Sequence, residues 1–329
     1  MPELPEVETI RGQLSPLVEG RTLRRMEILD ARWTRPLAPE ELASALEGRR
    51  VERLERRGKY LLWSFEGDVH LAQHLRMTGA VLVEPAGGRW RSDPPHTRVR
   101  LELGPQRGHR ARSSDGGRPS GRVSGRASKA GGRHGSLRLA IVDSRRFGTG
   151  ELLLGSAAVE AFFAARLGLE PLDERFTADE LRRLARGRRT PIKSFLLDQR
   201  LIAGVGNIYA DEALFRARIH PLRPAGRLSR AQYAALREGL IEALRAGIDA
   251  RGATIDDFRG VDGVSGSFQD QFLVHRRAGE PCPGCGGEIV KMVVGGRGTY
   301  VCESCQPRPR SRARRRAGRS GAGGSRRMH

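Results

Sequence analysis

The stretch from residue 282 to residue 305, CPGCGGEIVKMVVGGRGTYVCESC, contains all four cysteines of the chain. They form two Cys-x-x-Cys pairs with 16 residues between them: Cys282 with Cys285, and Cys302 with Cys305. This spacing is typical of four thiolates around a tetrahedral Zn²⁺ that is closed to water. The apolar runs Ile289–Val294 and Thr299–Val301 predict a hairpin whose turn carries Arg297. We therefore expect one structural zinc per chain in a zinc-ribbon hairpin; the alternative is a redox dithiol pair.

The segment before this hairpin has the hydrophobic spacing of helices. The predicted helices are Ala157–Arg166, Thr177–Arg186, Thr190–Leu197, Asn207–Arg216 and Ser229–Ala250. Thr177 with Glu180 three residues later is a capping-box pattern. The run Gly204-Val205-Gly206-Asn207 predicts a tight turn that ends on Asn207 as the N-cap. A helix, a Gly-rich turn and a second helix can direct backbone N–H groups at a phosphate, although an ordinary helical hairpin has the same pattern.

The N-terminal region combines one helix with short apolar runs. Glu6–Leu17 has helical spacing, and glycines separate the runs that follow. The predicted strands are Val51–Leu54, Tyr60–Phe65, Val69–Leu75, Ala80–Val83, Val99–Leu103 and Leu137–Val142. The last two look like strands of one hairpin, interrupted by a long basic insert that a surface turn tolerates at little cost. This region is predicted to be a β-sandwich or a barrel with a leading helix.

Two segments carry most of the formal charge of +21. Residues 105–136 contribute +7 and residues 306–329 contribute +9, which leaves +5 for the other 273 residues. Both segments are rich in Gly, Ser and Arg, so we expect them to be disordered. Either they are solvated tails with no specific role, or they attract nucleic-acid phosphates in a salt-dependent way.

The remaining composition argues against a membrane protein. Hydrophobic residues make up 38% of the chain, and no apolar run approaches the roughly 20 residues of a membrane span. The start lacks a basic segment followed by an apolar one, so no secretory signal is expected. Paired cysteines without such a signal indicate a reducing compartment, and we expect the cytoplasm.

The first residues offer a nucleophile. Once Met1 is removed, Pro2 becomes a secondary amine, and α-amino groups titrate near ~8, so part of it is neutral at physiological pH. Attack of such an amine on an aldehyde-level carbon gives a cationic iminium. Glu3 beside it is a plausible acid–base partner. The alternative is that Pro2 only stiffens the start of the chain.

Six motifs, in this order along the chain, together resemble the formamidopyrimidine-DNA glycosylase family of bacterial enzymes that excise oxidised purines. The motifs are PELPEVE at 2–8, GKYLL at 58–62, HLRMTG at 74–79, DSRRFG at 143–148, GVGNIY at 204–209, and the zinc hairpin with RGTY at 297–300. The likeness covers nearly the whole chain apart from the two basic segments. It implies an α+β protein: an N-terminal β-sandwich with a leading helix, a helical helix–two-turn–helix domain, and a zinc-ribbon hairpin, with DNA in the cleft between the halves.

The implied domains are a catalytic sandwich at 1–172 that contains the insert 105–136, a DNA-binding helical domain at 173–276, a zinc finger at 277–306, and a basic tail at 307–329. The implied activity is base-excision repair: glycosylase removal of 8-oxoguanine and formamidopyrimidines, followed by β,δ-elimination of the abasic site. The implied partner is double-stranded DNA with oxidised bases or abasic sites. We expect a monomer, associated with the bacterial nucleoid through DNA.

The resemblance also implies roles for individual residues. Pro2 would be the Schiff-base nucleophile and Glu3 the acid–base residue at the sugar. Lys59 would donate a proton in β-elimination and Arg297 in δ-elimination. The gap left by a flipped nucleotide would be filled by Met77, Arg145 and Phe147. Phosphates would be held by His96, Arg145, Arg188 and Asn207.

The chain departs from the family pattern before the zinc finger. Family members often read Val-Tyr-Gly-Arg where this chain has Val274-His275-Arg276-Arg277, near the lesion-facing loop Gly260–Phe268. Two alternatives remain at this level. One is an enzyme resembling endonuclease VIII, which removes oxidised pyrimidines but usually starts Pro-Glu-Gly-Pro, so Leu4 argues against it. The other is a non-catalytic, zinc-dependent DNA-binding protein.

Overall fold

The computed structural model describes residues 2–84, 90, 92–106, 135–254, 260–261 and 263–309 of the chain. Two compact units are formed, the first by Met1–Leu167 with Arg245–Asp270 and the second by Gly168–Leu244 with Gln271–His329. The predicted disorder of the basic insert and tail concerns mainly residues 107–134 and 310–329, which lie outside the described residues, as does Met1.

Two four-stranded antiparallel sheets form the first unit. In one sheet the strand order is β1 (Leu23–Ile28), β6 (Thr97–Leu103), β7 (Leu137–Asp143), β5 (Gly79–Val83). In the other it is β2 (Val51–Arg57), β3 (Tyr60–Phe65), β4 (Val69–His74), β8 (Thr149–Leu154). The helices of this unit are α1 (Leu4–Val18), α2 (Pro39–Leu46) and α3 (Ser156–Ala164). Of the two predicted architectures, the structure therefore has the β-sandwich and not the barrel.

One hydrophobic core joins the two sheets and α1. Met26 and Ile141 come from the first sheet, Trp63 from the second and Leu14 from α1, all at most 4% exposed. Strand β3 is buried along its whole length, because a second cluster containing Phe162 of α3 covers its other face. Burial on both faces explains why β3 reads as a continuous apolar run rather than an alternating one.

The two strands that flank the basic insert pair as the sequence predicted. β6 and β7 are antiparallel, with Leu101 opposite Leu139 and Leu103 opposite Leu137. The insert therefore connects two adjacent strands of one sheet, and the pairing of these strands does not involve it.

The second unit contains four helices and the zinc hairpin. Its elements are α4 (Ala178–Ala185), α5 (Ile192–Leu197), α6 (Asn207–Arg216), α7 (Arg230–Asp249, whose end belongs to the first unit), β9 (Val290–Val294) and β10 (Arg297–Val301). Thr177 caps α4 by accepting a hydrogen bond from the Glu180 N–H at 3.1 Å, as predicted. Among the described residues, no helix is both long and apolar enough to cross a membrane.

The predicted N-cap role of Asn207 is wrong. The N-cap of α6 is Gly206, with extended backbone (φ −127°), and Asn207 is the first helical residue. Its side-chain amide instead donates to the Gly298 carbonyl at 2.9 Å. The turn therefore ends one residue earlier than expected, which leaves the Asn207 side chain available for a contact with the zinc hairpin.

Candidate functional site

The Pro2–Glu3 start of the chain is buried in the first unit, immediately before α1. Glu3 is the N-cap and is 2% exposed. Its backbone N–H donates to Glu6 Oε2 at 2.8 Å, and the other oxygen of Glu6 accepts from the Ala253 N–H, also at 2.8 Å. Glu6, which is 1% exposed, thus anchors the two predicted catalytic residues to a segment distant in sequence. Sequence reasoning missed this role, although an acid at the third helical position is a recognisable capping signal.

Lys59 lies in the tight turn between β2 and β3, and is 6% exposed. A left-handed residue is needed in this turn, and Gly58 supplies it with φ 57°. His74 lies nearby: burial, together with the positive charges of Arg76 and Lys59, lowers the pKa of His74 to about 3. Its Nδ1 accepts a hydrogen bond from the Arg76 N–H at 2.9 Å. The imidazole is therefore neutral and adds no charge beside Lys59.

Asp143 organises the loop that carries Arg145 and Phe147. Its carboxylate, 2% exposed, accepts from the backbone N–H groups of Phe147 and Gly148 at 2.7 Å each, and of Arg145 at 3.1 Å. It also accepts from the Thr78 hydroxyl, next to Met77. One buried acid thus joins the two loops that present the predicted gap-filling side chains. Sequence analysis placed Asp143 in the DSRRFG motif but predicted no role for it.

The side chains presented by these loops are accessible. Phe147 is 50% exposed, and the Arg145 guanidinium lies over its ring at 4.8 Å from the ring centre. His96, also exposed, is held beside them because its carbonyl accepts from the Asp143 N–H at 3.0 Å. An apolar ring, a guanidinium and an imidazole at one edge of the sandwich are suitable for stacking and phosphate contact.

The second unit carries the other predicted DNA-binding residues. Arg188 and Arg297 are exposed, on the segment after α4 and at the start of β10. Asn207 uses one of its two amide N–H groups on Gly298. Gly298 follows Arg297 at the start of β10, so the structure links Asn207 to the backbone beside Arg297, a link that sequence reasoning did not provide.

The four cysteines converge in the second unit with the geometry of a metal site. All four sulfurs lie within 4.8 Å of one another, and the Sγ–Sγ distances are 3.8 Å for Cys282–Cys305 and 3.5 Å for Cys285–Cys302. Zinc–sulfur bonds of about 2.3 Å in a tetrahedron require sulfur separations of about 3.8 Å. The donor set therefore fits Zn²⁺.

Electrostatics points the same way. Burial and the three neighbouring sulfurs raise the pKa of Cys305 to about 12, which would keep it a thiol in the absence of a cation. A coordinated dication deprotonates such thiols outright. The predicted structural zinc is confirmed by this cluster together with the zinc-finger match reported next.

Three features together indicate a zinc-finger enzyme of the DNA base-excision class. They are the sandwich with its buried Pro-Glu start, the helical unit and the four-cysteine hairpin. Three family models match along the chain: the formamidopyrimidine-DNA glycosylase N-terminal domain at 1–123, the H2TH domain of the same enzymes at 167–259, and the zinc finger found in FPG and IleRS at 279–308. The formamidopyrimidine-DNA glycosylase of Roseiflexus sp. (strain RS-1) is 42% identical over 93% of this chain and 100% of that protein. The corresponding Thermus thermophilus enzyme is 42% identical over 93% and 98%.

Solved structures agree. The crystal structure of the Thermus thermophilus Fpg protein matches with a TM-score of 0.75 and 40% identity, covering 94% of this chain and 100% of that one. The complex of the Lactococcus lactis Fpg with abasic-site DNA matches with a TM-score of 0.78 and 30% identity, covering 93% and 100%. The chain belongs to the formamidopyrimidine-DNA glycosylase family. It is a base-excision repair glycosylase for oxidised purines, of a family of bifunctional glycosylase/AP lyases, and DNA is its partner. The predicted family, fold and purine-repair function are confirmed.

Proposed function

We propose that Pro2, freed by removal of Met1, attacks C1′ of the damaged nucleotide and displaces the oxidised purine. The carrying observation is the burial of Pro2 and Glu3 at the N-terminus of α1, where Glu6 fixes the Glu3 backbone. The positive end of the helix dipole disfavours a second positive charge there, which favours the neutral, nucleophilic amine. As the C1′–N(Pro2) bond forms, the C1′–N bond to the base breaks; the base leaves with that electron pair and is protonated by solvent, and Glu3 accepts the proton that the Pro2 nitrogen loses.

Glu3 then delivers a proton to the ring oxygen, so that the C1′–O4′ bond opens and the iminium forms. The iminium acidifies C2′–H; water accepts that proton, the C3′–O bond breaks, and Lys59 is the proton donor to the departing 3′ phosphate. In the second elimination water accepts the C4′–H proton, the C5′–O bond breaks, and Arg297 is the proton donor to the departing 5′ phosphate. Burial of Lys59 supports its role, because a cation 6% exposed has exchanged water for a few fixed partners.

DNA contacts are divided between the units in this proposal. Met77, Arg145 and Phe147 fill the space of the extruded nucleotide, because an unstacked duplex needs an apolar and planar replacement. Phosphates are held by His96, Arg145, Arg188 and Asn207. The catalytic sandwich is taken as 1–172, the helical domain as 173–276 and the zinc finger as 277–306. We further propose a monomer that associates with the nucleoid through double-stranded DNA.

Borohydride trapping tests the nucleophile. Reduction of the iminium should link the enzyme covalently to a duplex with one 8-oxoguanine, and peptide mass spectrometry should locate the link at Pro2. Pro2→Gly and N-acetylated protein should form at most a few per cent of the adduct. The matched control is Pro5→Gly, which changes a proline of the same helix start without touching the amine. Wild-type trapping and cutting by the acetylated protein would rule the mechanism out.

A further inference from the structure

The departure from the family pattern at Val274–Arg277 has a structural role in the second unit. His275 is 5% exposed, so the residue that differs from the family's tyrosine lies in the interior. The next residue, Arg276, adopts φ 61°, the left-handed conformation that the family's glycine takes easily. Arg276 thus takes a left-handed conformation where the family pattern has glycine, and the residue before it presents a buried imidazole.

His275 contacts a buried acid. Its Nδ1 lies 2.9 Å from Asp211 Oδ2, and Asp211 is fully buried. The imidazole packs edge-on against Phe272 and Tyr300, with ring centres 5.4 and 5.0 Å away. Its backbone N–H donates to Glu212 Oε1 at 3.0 Å. The ring is thus fixed on several sides, with Nδ1 directed at the carboxylate.

Asp211 in turn forms a fully buried ion pair with Lys193. Lys193 Nζ is 2.7 Å from Asp211 Oδ1, and neither side chain is exposed to solvent. The same ammonium group donates to the Gly298 carbonyl at 3.0 Å and to Thr299 Oγ1 at 2.8 Å. The Lys193 ammonium therefore faces a carboxylate, a carbonyl and a hydroxyl oxygen. Because a buried charge is costly when a partner is missing, this geometry is strongly constrained.

The chain of contacts ends at the turn of the zinc hairpin. The Gly298 carbonyl accepts from both Lys193 and Asn207, and Gly298 directly follows Arg297. The same turn approaches α5 so closely that a Cβ at Gly295 would lie 2.7 Å from the Ser194 hydroxyl oxygen. The exposed Arg297 side chain therefore projects from a backbone that buried polar groups hold in place.

We infer that His275 is a positioning residue for the second elimination, acting through Asp211, Lys193 and the Gly298 carbonyl on Arg297. The inference rests on the proposed role of Arg297. His275 supplies the donor that satisfies the second oxygen of Asp211. Without it that oxygen loses its hydrogen bond, the Lys193 ion pair relaxes, and the hairpin turn loses one of its two fixed donors. The residues proposed to react in base removal and β-elimination, Pro2, Glu3 and Lys59, lie in the first unit, so these two steps should be affected less than the second elimination.

Two substitutions separate donation from packing. His275→Phe keeps an aromatic ring against Phe272 and Tyr300 but has no donor. His275→Asn places an amide nitrogen near the position of Nδ1 but gives up the ring. On a duplex with one abasic site, single-turnover gels resolve the β-product from the β,δ-product. We expect His275→Phe to slow δ-elimination about tenfold relative to β-elimination, and His275→Asn to retain most of the wild-type ratio. The opposite order would show that His275 only packs, and would overturn the inference.

Zinc content and thermal unfolding of each variant are measured first. If His275→Phe loses zinc, His275→Gln replaces it, because its longer amide reaches the position of Nε2 rather than Nδ1. Arg297→Gln alone tests the proposed function: unchanged δ-elimination would refute the role of Arg297. If Arg297→Gln slows δ-elimination, the double variant decides the inference. The effect of His275→Phe should vanish in the Arg297→Gln background. An undiminished effect there would refute positioning through Arg297 and leave the role of Arg297 intact.

Discussion

Asp143 holds together the two loops that present the side chains proposed to fill the gap of an extruded nucleotide, so its replacement should impair base extrusion specifically. We consider Asp143→Asn, which keeps the size and shape of the side chain. One oxygen can still accept from the Phe147 and Gly148 N–H groups, as Oδ2 does now at 2.7 Å. The other oxygen becomes an NH₂ group that faces the Arg145 N–H, which Oδ1 now accepts at 3.1 Å. Two donors then oppose each other at Arg145, which we propose to enter the DNA, and the Arg145 N–H keeps only its 3.2 Å hydrogen bond to Thr78 Oγ1.

The expected magnitude follows from that lost contact. A hydrogen bond to a charged group contributes about 1.5–3 kcal/mol, and Thr78 adds little to the loss because its hydroxyl can rotate to accept from the new NH₂ group. A cost of about 2 kcal/mol shifts the equilibrium between the ordered and the disordered loop roughly thirtyfold toward disorder, since each 1.4 kcal/mol is a factor of ten. Excision of 8-oxoguanine from duplex DNA should slow by up to this factor when the enzyme is below saturation.

The assay compares two substrates under single-turnover conditions. A duplex with 8-oxoguanine requires extrusion of a stacked base, whereas a duplex with a pre-formed abasic site has no base to extrude. Asp143→Asn should slow the first reaction far more than the second. Asp173→Asn, the same chemical change at a solvent-exposed turn of the second unit, is the control. Equal losses on both substrates, or no loss on either, would refute the argument.

Three further predictions concern the metal, pH and charge. Cys302→Ser should lose about one zinc per chain by atomic absorption together with DNA binding, because the hairpin folds around the metal; full incision by verified zinc-free protein would contradict this. Burial lowers the pKa of His74 to about 3, so the unfolded chain alone takes up a proton as pH falls below about 6.5. Stability present above that pH is therefore lost toward pH 3, by about 2 kcal/mol at pH 5, and urea titrations of His74→Gln should lack this loss. Deleting 107–134 and 308–329 removes +16 of the +21 charge, and should flatten the salt dependence of binding to undamaged DNA while single-turnover excision is unchanged.

The sequence predicted those parts of the fold whose signals are local. The cysteine spacing defined the zinc site, and the apolar runs of β3, β6 and β7 defined strands that the core covers. It did not predict β1 or β8. In β1 only two of six residues are buried, and Arg and Glu occupy most of the other positions. Such a strand is specified by its pairing with a distant neighbour, here β6, rather than by its own pattern.

The candidate site divides along the same line. Residues with chemical roles could be proposed from motifs, because a proline at the start of the chain or a lysine after a glycine can be recognised in the amino-acid sequence alone. The acids that position them were not. The partners of Glu6 and Asp143 are backbone N–H groups, which nearly every residue type carries, and those of Asp211 are the distant side chains of Lys193 and His275. Glu6 meets its partner Ala253 across 247 positions. Sequence patterns therefore indicate which groups are proposed to react, while we propose that the three buried acids Glu6, Asp143 and Asp211 orient those groups. Substitutions at these acids should consequently affect separate steps: nucleophile placement for the first, base extrusion for the second, and the last elimination for the third.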